Sequence, residues 1–246
     1  MRAALIGYGK MGRAIETALL AKGHSVGLVV QRNNRELLTE AALDSCDVAI
    51  EFTGPERAAD NIRICMDAGK PVVSGSTGWL QEMEEIHARC TRLNGSFIYA
   101  SNFSIGVNLF FEINRMLALL MSRYPDYDAA LREVHHTAKK DAPSGTAITL
   151  AETLLHMLKN KKTWSGKRSG DPADLYIESV REDPAPGTHT VNYHSSIDDI
   201  SITHTAHNRQ GFASGAVLAA EFLVNRKGIY TMQDVLGLPA LRSDTY

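Results

Sequence analysis

The 246-residue chain predicts an α/β fold in two parts, and three features of the sequence carry that expectation. Short, β-branched-rich apolar runs alternate with helical patterns from residue 2 to residue 100, and a glycine-rich turn joins the first run to the first helix. Beyond residue 104 the alternation gives way to longer strand-like runs with fewer helices between them. Regular alternation builds a parallel sheet covered by helices, whereas strands with few crossovers build a mixed or antiparallel one.

The strand-like runs of the first part are 2–6, 26–31, 47–52, 71–74 and 97–100. Between them, "GRAIETALLAKG" and "PERAADNIRICMDAGK" carry apolar residues at helical spacing. Gly23 and Gly69 close these helices, where a left-handed residue is usual. In the second part the pattern predicts a helix over 106–121, a strand ending at His136, a helix from Pro143, and alternating runs near 175–181, 189–194 and 199–206. The Gly- and Pro-containing stretches 165–172 and "REDPAPGTH" are expected as loops. "GFASGAVLAAEFLVNRKG" reads as a last helix returning to the first part, so the expected domains are 1–103 plus 209–246, and 104–208.

An apolar fraction of 44% suffices for a buried core, and 26 basic against 28 acidic residues favour neither a nucleic-acid backbone nor an anionic membrane surface. Cys46, Cys65 and Cys90 are widely spaced and form no CxxC pair, which argues against a disulfide framework or a zinc ribbon. The apolar run in "MRAALIGYG" is too short for a signal peptide, and no apolar stretch reaches the ~18 residues of a membrane span. A cytoplasmic protein with no nucleic-acid or membrane partner is expected.

The first strand runs directly into Gly7-Tyr8-Gly9-Lys10-Met11-Gly12 and then a helix. In this context glycines let the backbone approach a pyrophosphate, whose charge the helix N-terminus stabilises. The expectation is a Rossmann-like dinucleotide-binding domain, with a second α+β domain built on a mixed sheet; a tight turn without ligand is the alternative. After the second strand the chain reads Gln31-Arg32-Asn33-Asn34-Arg35, with no carboxylate to repel a 2′-phosphate. Arg32 either pairs with that phosphate or is a solvated loop charge, so NADPH or NADH would serve. Gly75-Ser76-Thr77 and Ala100-Ser101-Asn102-Phe103 follow the next strand-like runs, where ligands of open α/β sheets bind; ordinary turn chemistry would also place such residues there.

The segment "EVHHTAKKDAPSGTA", 133–147, concentrates polar groups between a strand and a helix. Pro143, Ser144, Gly145 and Thr146 at the helix start leave backbone N–H groups free for a carboxylate or phosphate. His135, His136, Lys139 and Lys140 add cations and proton donors beside them. Each feature has a plain alternative: adjacent histidines on a strand face opposite ways, so one of them packs, and loop lysines are commonly solvated. No third metal ligand of suitable spacing adjoins the pair, and no metal is expected.

Together these residues resemble the 4-hydroxy-tetrahydrodipicolinate (dihydrodipicolinate) reductase family. The likeness rests on Glu133, His135-His136, Lys139 and 141–147. It extends through "GYGKMG", "EFTGPE", "GSTGW", "ASNFSIGVNLFF", "ITHTAHNRQGFASGAV" and "KGIYTMQDVL". The resemblance implies that His135 acts as proton donor or acceptor and Lys139 as proton donor. It implies too that His136, Ser144, Gly145 and Thr146 bind a small dicarboxylate, and that Gly7 to Gly12, Arg32, 75–77 and 100–103 bind NADPH or NADH. A homotetramer joined through the mixed sheet is the family's usual assembly. The chain departs from the family in Gln31-Arg32, where many members have Glu-Arg. It departs again in Arg181-Glu182-Asp183-Pro184 before Gly187-Thr188-His189, a change expected to alter a loop and not the acid–base groups. An aspartate- or homoserine-type dehydrogenase and a non-catalytic dinucleotide sensor are the rival readings, and the His-Lys-Ser-Gly-Thr grouping argues against both.

Overall fold

A computed structural model describes residues 1–208 and 210–238. The chain divides into two compact units, one formed by 1–105 with the segment from Gln210 onward, the other beginning at Gly106. Arg209 and 239–246, within the expected C-terminal return, lie outside the described residues. In chain order the first unit contains β1 (Arg2–Ile6), α1 (Lys10–Ala21), β2 (Ser25–Val30), α2 (Glu40–Leu43), β3 (Val48–Glu51), α3 (Pro55–Asp67), β4 (Val72–Ser74), α4 (Met83–Arg92) and β5 (Ser96–Tyr99). The second contains α5 (Ile105–Met121), β6 (Asp128–His135), α6 (Gly145–Met157), β7 (Thr163–Ser165), β8 (Asp174–Arg181), β9 (Thr188–His194) and β10 (Asp199–Thr205). The chain then re-enters the first unit as α7 (Gln210–Leu223), β11 (Gly228–Tyr230) and α8 (Met232–Leu236).

The first unit is a parallel sheet in the order β11-β5-β4-β3-β1-β2. Its strands are apolar on both faces because helices cover both. Ala4, Ile6, Ala49, Val72 and Phe97 pack with Ile62 and Cys65 of α3 and Ile86 and Cys90 of α4. Ala3, Leu5, Ile50, Val73 and Ile98 pack with Ile15 and Leu19 of α1 and Ala216, Val217 and Ala220 of α7. The cysteines are unpaired and buried, and burial pushes the Cys65 thiol far up. Because β1 lies between β2 and β3, sheet growth reverses there, which opens a crevice at the carboxyl ends of these strands.

The second unit is a mixed sheet, β10-β9-β6-β8-β7, antiparallel from β10 to β6 and parallel from β6 to β7. Along the buried face of β6 the side chains run Ala129, Leu131, Glu133, His135. The first two join Phe110 and Ala118 of α5, Leu150 and Leu154 of α6, and Ile177, Val191 and Tyr193 of the sheet. The same face turns polar at the end of the strand. Two short strands go beyond expectation: β7 ends at Ser165, the first residue of the stretch 165–172 read as a loop, and β11 extends the first sheet beyond β5. Three residues are too few for an alternation to register.

The helix expected from Pro143 begins at Gly145, because the Ser144 hydroxyl accepts the Ala147 N–H and makes Ser144 the N-cap. Likewise β6 ends at His135, not His136. Gly23 and Gly69 take φ of +76° and +70°, the left-handed form expected of them.

Close packing of α7 against the segment that follows β5 depends on Gly215, whose Cβ, if present, would lie 1.7 Å from the Phe103 carbonyl oxygen. Gly215→Ala is expected to lower the unfolding free energy by at least ~1–3 kcal/mol. Gly9→Ala, with nothing within 4 Å of the added carbon, should change it by less than ~0.5 kcal/mol. Urea unfolding followed by circular dichroism checks both; equal stability of Gly215→Ala and the parent chain would refute the close approach.

Candidate active site

Three glycines shape the turn after β1 for different reasons. Gly7 has φ +95°, and a Cβ there would lie 2.1 Å from the Phe52 carbonyl oxygen; one on Gly12 would lie 2.2 Å from the Gly7 carbonyl oxygen. Those two let the turn fold against itself and against β3. Gly9 instead faces open space and caps α1 with no side-chain hydrogen bond, so first-turn N–H groups stay available to an anion. Tyr8 donates its hydroxyl hydrogen to Glu16 and stacks near the Arg13 guanidinium at 5.4 Å. Lys10 is exposed and Met11 half-buried. Arg32 lies exposed at the start of a 3-10 turn, 32–37, just past the end of β2.

At the ends of β3 and β4 the fully buried Glu51 gathers the neighbouring loops. It accepts hydrogen bonds from Ser74 Oγ at 2.7 Å, Ser76 Oγ at 2.8 Å, Thr53 N at 2.9 Å and the Thr53 hydroxyl. Ser76 therefore spends its side chain inward, Gly75 sits against the Phe52 ring, and Thr77 is exposed. In 100–103, Ala100 is half-buried, Ser101 is exposed and the Asn102 Oδ1 accepts the Ser104 N–H at 2.9 Å. Phe103 is 1% exposed and packs on Phe52, so from this residue only backbone can meet a ligand.

In the second unit the residues singled out from 133 to 146 gather where β6 gives way to α6. Glu133, fully buried, accepts the Ser144 N–H on both oxygens at 3.1 Å and Arg181 Nη2 at 3.2 Å. His135 Nδ1 lies 3.4 Å from Glu133 Oε2, in ion-pair range without hydrogen-bond alignment, and the His189 ring stands edge-on to His135 at 4.9 Å. His189 Nε2 meets the Ser144 hydroxyl at 3.1 Å. His136 projects from the opposite face, half-buried, with its N–H on Ala185 O at 2.8 Å. Lys139 Nζ donates to both oxygens of Asp141, at 2.9 and 2.7 Å; Lys140 is exposed. Ser144 Oγ takes the Ala147 N–H, while the N–H groups of Gly145 and Thr146 meet no acceptor among the described residues.

The segment 181–183, expected from the sequence to alter a loop and not the acid–base groups, touches the backbone that carries them, with the Glu182 N–H on His135 O at 2.8 Å. Arg181 bonds Glu133, Lys139 O at 3.3 Å and Asp141 O at 2.6 Å, and Asp183 accepts the Thr137 hydroxyl at 2.5 Å. Sequence spacing shows no third ligand beside the histidine pair, but the β6–β9 register places His189 opposite Glu133. Ligand atoms of Glu133, His135 and His189 lie within 4.8 Å of one another. Arg181 already supplies the carboxylate with a counter-charge, so the cluster suits proton and hydrogen-bond chemistry better than a cation. Burial alone would raise the Glu133 carboxyl, but hydrogen bonds led by Ser144 outweigh it and hold it below the usual carboxylate range. Burial lowers His135, helped by Lys139 and Arg181 and opposed by Glu133. The Lys139 hydrogen bond lowers Asp141.

Burial, then the neighbouring His135, pulls His189 down to about 4. An unfolded chain with an ordinary histidine takes up this proton between pH ~6.5 and 4 while the folded one does not. Folding stability therefore falls as pH drops through that window, by on the order of 2–3 kcal/mol from this group. His189→Gln should remove that part of the slope in urea unfolding at pH 7 and pH 4.5; an unchanged slope would mean that the folded protein does not exclude a proton from this ring.

Residues 1–103 match the protein family described as dihydrodipicolinate reductase, N-terminus, and 106–236 match dihydrodipicolinate reductase, C-terminus. A 4-hydroxy-tetrahydrodipicolinate reductase of Christiangramia forsetii is 46% identical over 237 residues, 96% of this chain and 98% of that protein. One of Citrifermentans bemidjiense is 36% identical over 208 residues, 80% of this chain and 76% of that protein. In fold, the chain is similar to the dipicolinate-bound dihydrodipicolinate reductase of Paenisporosarcina sp. TG-14, with a TM-score of 0.76 and 21% identity over 95% of this chain and 98% of that one. With both halves of the family matched in order along the sequence, the chain belongs to the dihydrodipicolinate reductase family.

Proposed function

We propose that this chain reduces 4-hydroxy-tetrahydrodipicolinate to tetrahydrodipicolinate with NADPH or NADH, releasing water, in lysine and diaminopimelate biosynthesis. The observation that carries this reading is one short stretch in a member of that family: a buried imidazole and a lysine stand beside a helix start whose N–H groups at Gly145 and Thr146 are open. An anionic dicarboxylate suits such a helix end. The second unit is the substrate-binding part and the first the dinucleotide-binding part. Assembly as a cytoplasmic homotetramer through the mixed sheet belongs to the same proposal.

The first unit fits a dinucleotide because the exposed face of Gly9 is empty and the α1 N-terminus is uncapped by any side chain. Gly7 to Gly12 would hold the pyrophosphate, with 75–77 and 100–103 reaching the cofactor at the strand ends. When bound, the reduced nicotinamide supplies a hydride to the ring. Gly145 and Thr146 then hold one substrate carboxylate, Ser144 keeping their helix turn in place, and His136 makes a further contact. Lys139 delivers the proton that balances hydride addition and loss of hydroxide as water, with His135 the second group able to give or take it. Asp141 holds the Lys139 ammonium in the loop until substrate arrives.

The test is turnover with freshly made substrate. NADPH oxidation should depend on that substrate, and Lys139→Met should cut kcat by about 10²- to 10⁴-fold while NADPH still binds. In the same assay Arg32→Ala should weaken NADPH more than NADH. Raised KM with intact kcat in Lys139→Met would reduce the lysine to a carboxylate ligand, and no substrate-dependent oxidation by the parent chain would sink the reductase reading.

A further inference from the structure

Two residues outside the proposed acid–base set hold that set together. Glu133 of β6 and Arg181 of β8, two places apart in the strand register, form an ion pair at 3.2 Å, with the carboxylate fully buried. The carboxylate bonds the N-cap amide of α6 and adjoins Nδ1 of His135. The guanidinium reaches on to the carbonyl oxygens of Lys139, Asp141 and Val180. One ion pair thus touches the imidazole, the loop that carries the lysine, and the helix start that offers N–H groups to an anion. No other charged pair among the described residues of this unit reaches all three.

Resting on the reductase reading, we propose that Glu133 and Arg181 are a positioning pair for the reaction: Glu133 fixes the orientation of His135 through Nδ1, and Arg181 fixes the backbone of 139–141 and so the place of Lys139. Neither need touch substrate. A lone carboxylate here would be a costly buried charge, and a lone arginine would leave the loop untied; the pair is tolerable because each completes the hydrogen bonding of the other. Lysine at 181 would retain the charge but not the planar fork that serves several acceptors at once.

The arrangement gives the two residues opposite electrical effects on His135, which also faces His189 from β9 and Lys139 and Asp141 from the loop that follows β6. Removing the negative charge makes the imidazolium harder to form, and removing the positive charge makes it easier.

The experiment follows the ring C–H resonances of His135 by NMR through a pH titration, alongside kcat. Glu133→Gln should move the His135 midpoint down by about one pH unit, and Arg181→Met should move it up by a similar amount. Both should lower kcat about tenfold or more. Arg181→Lys should return the midpoint close to that of the parent chain while kcat stays low, because charge is restored and the fork is not. A purely structural role predicts shifts in the same direction, or none, and either result overturns the proposal, as does full activity in both Glu133→Gln and Arg181→Met. Should Glu133→Gln fail to fold, the upward shift in Arg181→Met and its partial reversal in Arg181→Lys decide the matter. The titration needs no substrate, so it stands apart from the reductase reading, which falls only if the parent chain fails to turn over.

Discussion

A carboxylate with no access to solvent has to be answered by donors, and in the second unit that requirement organises everything near the end of β6. Glu133 takes two contacts from the α6 N-cap amide and one from Arg181, and lies against His135 and His189. Each donor comes from a different element. The helix start and the β8 end are therefore fixed relative to one charge, and moving either would leave that charge short of a partner, at a cost of several kcal/mol. The polar end of an otherwise apolar strand face is tolerated because the Glu133 carboxylate itself is answered by the Ser144 amide and the Arg181 guanidinium.

The first unit meets the same problem differently. Glu51 is equally buried but is answered by hydroxyls and an amide from Thr53, Ser74 and Ser76, without a cation. It ties the loop after β3 to the loop after β4 at the carboxyl ends of the parallel strands, next to the glycine turn after β1. In both units, then, a glutamate at the end of a buried strand sets the loops that carry the proposed binding groups. The second surrounds its glutamate with two imidazoles and a guanidinium, groups that can hold or pass a proton beside the proposed substrate site.

Much of this was legible in the sequence because its signals are local. Strand–helix alternation, the turn from Gly7 to Gly12 and the glycines ending α1 and α3 are read within a few residues of one another, and they gave the parallel sheet. The stretch from Glu133 to Thr146 is continuous, so its histidine, lysine and helix start could be grouped without knowing the fold. What escaped reading depends on pairing between distant strands. His189 stands opposite Glu133, and Arg181 opposite His135, only through the registers of β9 and β8 against β6. Nothing in "VREDPAPGTHT" states those registers, so the sequence shows a loop there and not its contact with the backbone of Lys139. Ser76 and Phe103 were found at the expected strand ends, but which way a side chain turns there was set by Glu51 and Phe52, again across strands.

The central claim is that the buried carboxylate of Glu133 orients His135. Burial pushes the His135 imidazole below its ordinary value, against the pull of Glu133, which favours the ring with a single proton. Nitrogen-15 chemical shifts of the ring in the ligand-free protein near pH 7.5 report which nitrogen holds it. The account predicts the proton on Nδ1, facing Glu133, with Nε2 left as the acceptor; a proton on Nε2, with bare Nδ1 against the carboxylate, would contradict it.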